Sequence, residues 1–258
     1  MELKLGKLPR IYNPAVPHMS SLMGKSRKKD YPASVDYSKG MKEDLGMLLN
    51  DKLGCCTCAA YYHAMQVWSF HTNKTDGMIT QPDMNVLQLY KEACGYDPHD
   101  PYSDKGGIMQ NVLIYLLNMG AITGLKSETH HKIRSFVEVD VRNLADIKHA
   151  IYDCGVLYIG FYVPSHLMES EPPAVWQYKK QSPLVGGHAI TLTGYDSKTF
   201  SLISWGKRYK MTHEFFLNYT DEAYCLVDVD WFTETGKSIL GLSMKDLENQ
   251  MQELRKEK

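Results

Sequence analysis

Apolar and small side chains in the first half of the chain recur with the spacing of helices. Residues 56–71 carry them at three- and four-residue steps, with no intervening Pro or Gly. A second helix is expected to begin near Pro82 and to end before Gly95. A third, in the segment GIMQNVLIYLLNMG, ends at Gly120, and a fourth begins after Asn143 as its N-cap.

The second half of the chain has a different pattern. The segments GVLYIGFYV, GHAITLTGY, TFSLISW and AYCLVDV are short, rich in β-branched and aromatic residues, and bounded by Gly, Asp or Ser, as strands are. Helices followed by strands predict an α+β fold with a helical lobe at about residues 35–150 and a β-rich lobe at about 151–232. A cleft between two such lobes is a natural place for a functional site.

The two ends of the chain do not fit this pattern. Residues 1–34 contain four prolines and little periodicity, so we expect an extended arm that lies on the surface and is partly mobile. Residues 233–258 are expected to form a linker and a polar helix that begins near Ser243. This helix carries a narrow apolar stripe, at Met244, Leu247, Met251 and Leu254. Such a stripe needs a cover, so we hypothesise that residues 1–34 and 244–258 serve homo-oligomerisation or assembly on a larger particle.

Composition narrows the possible partners. The chain has 258 residues, a formal net charge of -1 and 43% hydrophobic residues, which is typical of a soluble globular protein and gives no reason to expect nucleic acid. The short basic runs at residues 25–30 and at the C-terminus are expected to be solvated. The sequence has neither a membrane-length apolar run nor an N-terminal signal core, and its six cysteines make a poor disulfide framework, which together favour the cytoplasm.

Three of the six cysteines lie within four positions in the segment NDKLGCCTCAAYYHAMQVW, as Cys55, Cys56 and Cys58. A zinc site is disfavoured, because the knuckle spacing is absent and Cys56 and Cys58 would point about 200° apart on a helix. Two interpretations stay open. One is a buried cluster, which suits Cys58. The other is a nucleophile in the first turn of a helix, where unpaired N–H groups and the helix dipole favour the thiolate.

A nucleophilic cysteine needs a base, and the segment LVGGHAITLTGYD supplies a candidate in His188. This histidine follows two glycines at the start of an expected strand, where its ring can face a cleft. Most histidines are surface or packing residues, so His188 gains weight only in combination with the cysteine at the helix start.

These residues together resemble papain-like cysteine peptidases. That family has a glutamine six residues before the nucleophile and a glycine two before it, and the corresponding residues here are Asn50 and Gly54. This spacing selects Cys56. DKGGIMQNVLIYLLNMGAI resembles the family's Gly-Gly segment, and FSLISWGKRY resembles the strand that ends in Ser-Trp-Gly. The resemblance spans about residues 35–232.

The resemblance implies a thiol hydrolase that acts on peptide or amide bonds without a cofactor or metal. The catalytic residues implied are Cys56, His188 and Asn50, and the substrate-binding residues are Gly106, Gly107 and Trp205. The position of the family's histidine-orienting asparagine is Ile203, so another group must orient His188. The alternative is a weakly active or inactive papain-like fold that serves as a structural or accessory protein.

Four motifs are also similar to those of a group of phage and bacterial papain-like proteins. The pattern ND-x-x-G-D-C-T-x-A corresponds to NDKLGCCTCA, and the others correspond to YKEACGYDP, GGHAITLTGYD and WGKRYKMTHEFF. This similarity implies a protein encoded by a phage or a bacterium, with a protein or peptide substrate. Under the structural alternative, it implies an accessory protein of a phage virion or assembly, joined through residues 1–34 and 244–258.

Overall fold

The computed structural model describes residues 3–22, 31–73, 77–124, 130–236 and 244–256. The basic run at residues 25–30 and the expected helix start at Ser243 lie outside the described residues. Within the described ranges, no helix is both long and apolar enough to cross a membrane.

The helices expected from periodicity are present, and two of them begin and end at the expected capping residues. The bounds are α1 Met19–Leu22, α2 Cys56–Thr72, α3 Asp83–Cys94, α4 Met109–Asn118, α5 Leu144–Cys154, α6 His213–Tyr219, α7 Val229–Thr235 and α8 Met244–Gln250. Pro82 is the N-cap residue of α3, and Gly95 ends that helix with a left-handed backbone. The Asn143 side chain accepts hydrogen bonds from two N–H groups of α5, as expected of an N-cap.

The strands form one large mixed sheet and one small hairpin. Their bounds are β1 Val35–Asp36, β2 Ala121–Ile122, β3 His130–His131, β4 Ser135–Glu138, β5 Leu157–Pro164, β6 Val175–Trp176, β7 Leu184–Tyr195, β8 Thr199–Ser204, β9 Lys207–Thr212 and β10 Thr220–Val227. The large sheet has the order β4-β10-β5-β7-β8-β9-β6, with β1 added beside β7, and β2 pairs with β3. The α+β class is confirmed.

Helix α2 packs on the centre of the large sheet, and this contact fixes where the helix begins. The Thr191 hydroxyl of β7 donates to the carbonyl of Ala60 at 2.6 Å. The Tyr158 hydroxyl of β5 donates to the carbonyl of Thr57 at 2.8 Å. Both bonds reach the first turns of α2, so they hold its N-terminus against the two central strands.

The cysteines differ from expectation in one respect. Cys154 at the end of α5 and Cys225 in β10 form a disulfide across a sequence separation of 71 residues. The expectation of a poor disulfide framework is therefore wrong for this pair. Both residues lie in the buried core, where α5 packs on β10, and their proximity arises from tertiary structure that sequence spacing does not reveal.

Three of the four residues in the apolar stripe of the C-terminal segment are covered by the chain itself. Leu247, Met251 and Leu254 are all buried. Asn118 of α4 donates its side-chain N–H to the Leu254 carbonyl at 3.1 Å, and α8 packs against β4. These three residues therefore belong to the core, which removes the observation that pointed to an assembly surface at them.

Candidate active site

Cys56 lies at the first position of α2, beneath the cleft between the helices and the large sheet. Its side chain is fully buried. Gly54, two residues earlier, donates its backbone N–H to the Asp104 carboxylate at 3.0 Å. Asp104 also accepts from the Tyr90 hydroxyl at 2.6 Å, and that hydroxyl accepts from the Gly106 N–H at 2.9 Å. This chain of hydrogen bonds fixes the loop before Cys56 relative to the Gly106–Gly107 wall.

The neighbouring cysteines face different surroundings. The Cys55 thiol points to the Leu48 carbonyl at 3.5 Å, whereas Cys58 lies 4.0 Å from the Thr57 hydroxyl. A hydrogen bond from Cys58 lowers the pKa of Cys94. Among the described residues, no group of three or more His, Cys, Asp or Glu side chains is placed to hold a metal ion.

His188 lies on β7, opposite Phe161 of β5. Its Nε2 atom is 2.9 Å from the Ser204 hydroxyl, and its ring stacks on the Trp205 indole with centroids 4.3 Å apart. Its Nδ1 atom is buried and has no hydrogen-bond partner among the described residues. Burial raises the pKa of the Cys56 thiol, and the backbone N–H of Ala189, the residue after His188, acts to lower it. The histidine strand therefore lies beside the nucleophile candidate.

The cleft above Cys56 is filled by the chain's own N-terminal segment. The N–H groups of Gly6 and Lys7 donate to the Gly187 carbonyl at 3.1 and 3.0 Å. On the opposite wall, Gly107 donates to the Gly6 carbonyl at 2.7 Å and accepts from the Leu8 N–H at 2.9 Å. Residues 4–8 therefore lie as an extended peptide between both walls. Lys7 is buried, and the residues on either side of it in this segment are partly buried.

Asn50 also contacts this segment. Its side-chain amide donates to the Lys4 carbonyl at 3.3 Å and to the Leu53 carbonyl at 3.5 Å. Its backbone carbonyl accepts from the Lys4 N–H at 3.2 Å. Asn50, Gly107 and Gly187 thus all contact one stretch of peptide.

Close approach of the segment depends on glycine. A Cβ atom added to Gly6 would lie 1.9 Å from the Gly54 carbonyl oxygen, and one added to Gly187 would lie 2.3 Å from the Lys7 oxygen. Gly106 has a φ of +87°, and a Cβ there would lie 2.0 Å from the Gly6 oxygen. Because each obstructing atom is backbone, a side chain at these positions would displace the segment.

Burial under the segment keeps the candidate catalytic pair uncharged. Loss of water raises the pKa of the Cys56 thiol to about 11, although the N–H groups of Ala189 and Gly6 favour the thiolate. Burial lowers the pKa of His188 to about 3, and the nearby His63 lowers it further. The closed cleft thus holds a neutral thiol and a neutral imidazole.

Two features of the site are missing from the sequence-based expectations. Ser204 binds His188, although the resemblance drew attention to Ile203, whose side chain belongs to the core. Lys7 is the other: its ammonium group is fully buried between Asp221 and Glu222. The Ser-Trp-Gly motif could have suggested Ser204, whereas no local signal links Lys7 to residues more than 200 positions away.

The fold is that of papain-like cysteine proteases, as expected from the sequence. Xylellain, a cysteine protease from Xylella fastidiosa, superposes with a TM-score of 0.69 at 17% identity, over 88% of this chain and 97% of that one. A procathepsin B from Trypanosoma congolense gives 0.59 at 12% identity, over 87% and 86%. Bromelain from Ananas comosus gives 0.55 at 15%, over 76% and 99%.

The similarity to these solved structures is a similarity of backbone fold. At these identities it establishes the fold, and the chemistry rests on the site residues themselves. No protein-family model and no curated protein sequence matches the chain.

Proposed function

We propose that the protein is a thiol hydrolase that cleaves peptide or amide bonds with Cys56 as nucleophile and His188 as acid and base. The observation that carries this proposal is the extended peptide of residues 4–8, which is hydrogen-bonded to Asn50, Gly107 and Gly187 on the two walls of the cleft at Cys56. A cleft that already binds one extended backbone can bind another. The four sequence motifs are similar to those of papain-like proteins encoded in phage and bacterial genomes, so we expect that a phage or a bacterium encodes this protein.

In the proposed reaction, His188 accepts the thiol proton of Cys56 as the sulfur attacks the substrate carbonyl carbon. Nδ1 is the nitrogen left for this transfer, because Nε2 is hydrogen-bonded to Ser204. The Asn50 side-chain N–H and the Cys56 backbone N–H stabilise the oxyanion, and His188 then protonates the leaving amine. Water hydrolyses the thioester and restores the thiol.

The N-terminal segment inhibits this reaction by occupying the cleft. The Gly6 N–H donates to the Gly187 carbonyl and the Gly6 carbonyl accepts from the Gly107 N–H, so both backbone groups of Gly6 are bound to the walls of the cleft. The segment also excludes water, which disfavours the charged thiolate–imidazolium pair. We therefore propose that displacement of residues 4–8 both opens the cleft and activates Cys56.

The test uses the full-length chain with Gly6→Ala and Lys7→Ala, called here the opened chain. The first substitution sets a Cβ atom against the Gly54 carbonyl, and the second removes the buried ion pairs. Iodoacetamide at pH 7, followed by peptide mass mapping, should modify Cys56 before the other free cysteines in the opened chain and hardly at all in the unsubstituted chain.

The opened chain should also hydrolyse a fluorescein-labelled casein, and Cys56→Ala or His188→Ala in that background should abolish the activity. Fast alkylation of Cys56 without hydrolysis of any peptide or amide would favour the structural or accessory alternative. Equal alkylation of all free cysteines in a folded opened chain would remove Cys56 from the proposal.

A further inference from the structure

Two cysteines that the proposed reaction does not use lie behind the Gly107 wall of the cleft. Cys94 is the last residue of α3, and Cys58 lies in the first turn of α2. A Cβ atom added to Gly107 would lie 2.6 Å from the Cys94 sulfur and 2.6 Å from the Thr57 hydroxyl oxygen, so both atoms pack closely against this glycine. The same hydroxyl oxygen lies 4.0 Å from the Cys58 sulfur. Both sulfurs of this thiol pair, Cys58 and Cys94, are therefore placed around the Thr57 side chain.

The two members of the thiol pair differ in their access to solvent. Cys58 is 0% exposed, whereas Cys94 is only partly buried. The other two free cysteines, Cys55 and Cys56, are buried as well. A small reagent that arrives from solvent therefore meets Cys94 before it meets any other free thiol of the folded chain.

The thiol pair also ionises at the accessible sulfur. A hydrogen bond from Cys58 lowers the pKa of the Cys94 thiol, and the Thr57 hydroxyl lowers it further, although burial acts in the opposite direction. Burial raises the pKa of Cys58 well above its usual value, and the neighbouring Cys94 adds to this effect. Cys58 thus keeps its proton and donates it to Cys94. Since the thiolate is the form that reacts with peroxides, the exposed sulfur is also the reactive one.

We propose that Cys94 and Cys58 form a reversible oxidation site, in which Cys94 reacts with a hydroperoxide and Cys58 then closes a disulfide. The Cys94 thiolate attacks one oxygen of hydrogen peroxide, the O–O bond breaks, and the departing hydroxide takes up a proton to become water. The sulfenic acid left on Cys94 is then attacked by the Cys58 sulfur, and its hydroxyl group leaves as a second water with the Cys58 proton. Two thiols have lost two electrons and two protons, and one peroxide has become two waters. A dithiol reductant restores both thiols by exchange.

The oxidation site adjoins the proposed cleft without sharing its reacting groups. On its cleft side, Gly107 donates to the Gly6 carbonyl at 2.7 Å and accepts from the Leu8 N–H at 2.9 Å. On its other side, Gly107 packs against the Cys94 sulfur. A disulfide would join α3 to the first turn of α2 directly behind the residue that binds the N-terminal segment. Because neither proposed catalytic residue takes part, the inference goes beyond the proposed hydrolysis and is tested apart from it.

The test uses the full-length chain carrying Cys56→Ala, so that oxidation of the candidate nucleophile does not contribute. The folded protein is treated with hydrogen peroxide at pH 7, its remaining thiols are blocked with N-ethylmaleimide, and its peptides are mapped by mass spectrometry without reduction. We expect a disulfide between Cys94 and Cys58 as the main new product, which dithiothreitol reverses. Cys55→Ala is the matched control, because it removes a buried cysteine of the same segment and should leave the new disulfide unchanged.

The order of the two steps is tested with dimedone, which reacts with sulfenic acids. In Cys58→Ala, dimedone should label Cys94 at least about tenfold more than in the chain that retains Cys58, because no second thiol consumes the sulfenic acid. In Cys94→Ala, the buried Cys58 should stay unlabelled. Cys58→Ser, which keeps a polar side chain of similar size, gives the same expectation if the alanine variant does not fold. A disulfide from Cys94 to Cys55, or equal oxidation of all free cysteines in the folded chain, overturns the proposal.

Discussion

The Ser204 hydroxyl lies 2.9 Å from Nε2 of His188. Papain-like proteins are expected to orient this ring with an asparagine, and the corresponding residue here is the buried Ile203. Ser204 comes from the next position of β8, and Trp205 then covers one face of the ring. A hydroxyl and an indole thus restrain the imidazole, and they leave Nδ1 as the nitrogen free for proton transfer.

The first prediction concerns this positioning role. Ser204→Ala in the opened chain should lower kcat/KM for peptide hydrolysis about three- to tenfold, the effect of losing one neutral hydrogen bond. The acid limb of the pH–rate profile should shift as well, because the partner of Nε2 changes. Ser204→Thr should restore both.

Ser201→Ala is the matched control for this prediction. Ser201 is also a buried serine of β8, but its hydroxyl binds Asp36, away from His188. If both alanine variants lose stability alike and neither changes the pH profile, Ser204 has only a structural role.

The second prediction concerns the pH dependence of thiol labelling. In the unsubstituted chain, burial raises the pKa of Cys56 to about 11, so the rate of alkylation should still be rising at pH 10. In the opened chain, water and the α2 N-terminus stabilise the thiolate, and the rate should level off below about pH 9. The two curves are measured between pH 6 and 10, with Cys56→Ala identifying the signal. Superimposable curves would show that the segment does not control this thiol.

The third prediction concerns stability in acid. Burial lowers the pKa of His63 to about 4 and that of His188 to about 3, whereas both titrate near 6.5 when unfolded. The unfolded chain therefore binds more protons below pH 6.5, and stability falls as the pH decreases. Between pH 7 and 4.5 each histidine should contribute a loss on the order of 2 kcal/mol.

Urea unfolding at the two pH values measures this loss. His63→Gln should reduce it, since His63 shares its buried hydrogen bond with Gln66 and its replacement cannot take up a proton in this range. His166→Gln serves as the control, because His166 lies on a partly exposed turn after β5. An unchanged pH dependence in His63→Gln would contradict the assignment.

Local patterns predicted the elements that carry the catalytic candidates. The helix at Cys56 and the strand at His188 follow from periodicity, glycines and caps within about fifteen residues of each. Local patterns do not predict which distant segments of the chain contact one another. The seating of Lys7 against Glu222 and the pairing of Cys154 with Cys225 depend on how whole elements pack.

The β9 strand shows a different limit. Lys207–Thr212 reads KRYKMT, whose charges suggest a loop. In the sheet, its alternate residues Tyr209 and Met211 are buried while Lys210 is exposed, so the strand has one solvated face. Because polar residues alternate with the apolar ones, a search for apolar runs does not detect this strand.

The last prediction concerns the C-terminal segment, whose stripe was expected to serve assembly. Leu254 is fully buried, and its carbonyl accepts a hydrogen bond from Asn118 of α4. Leu254→Ala should lower the free energy of unfolding by about 2–4 kcal/mol, as core leucine truncations do. Gln250→Ala, at an exposed position of the same segment, should change it by less than about 0.5 kcal/mol. Equilibrium unfolding in urea, combined with light scattering, distinguishes a role of this segment in the fold from a role in assembly. Loss of stability without a change in molar mass assigns the segment to the fold, whereas an unchanged stability with altered self-association would restore the assembly hypothesis.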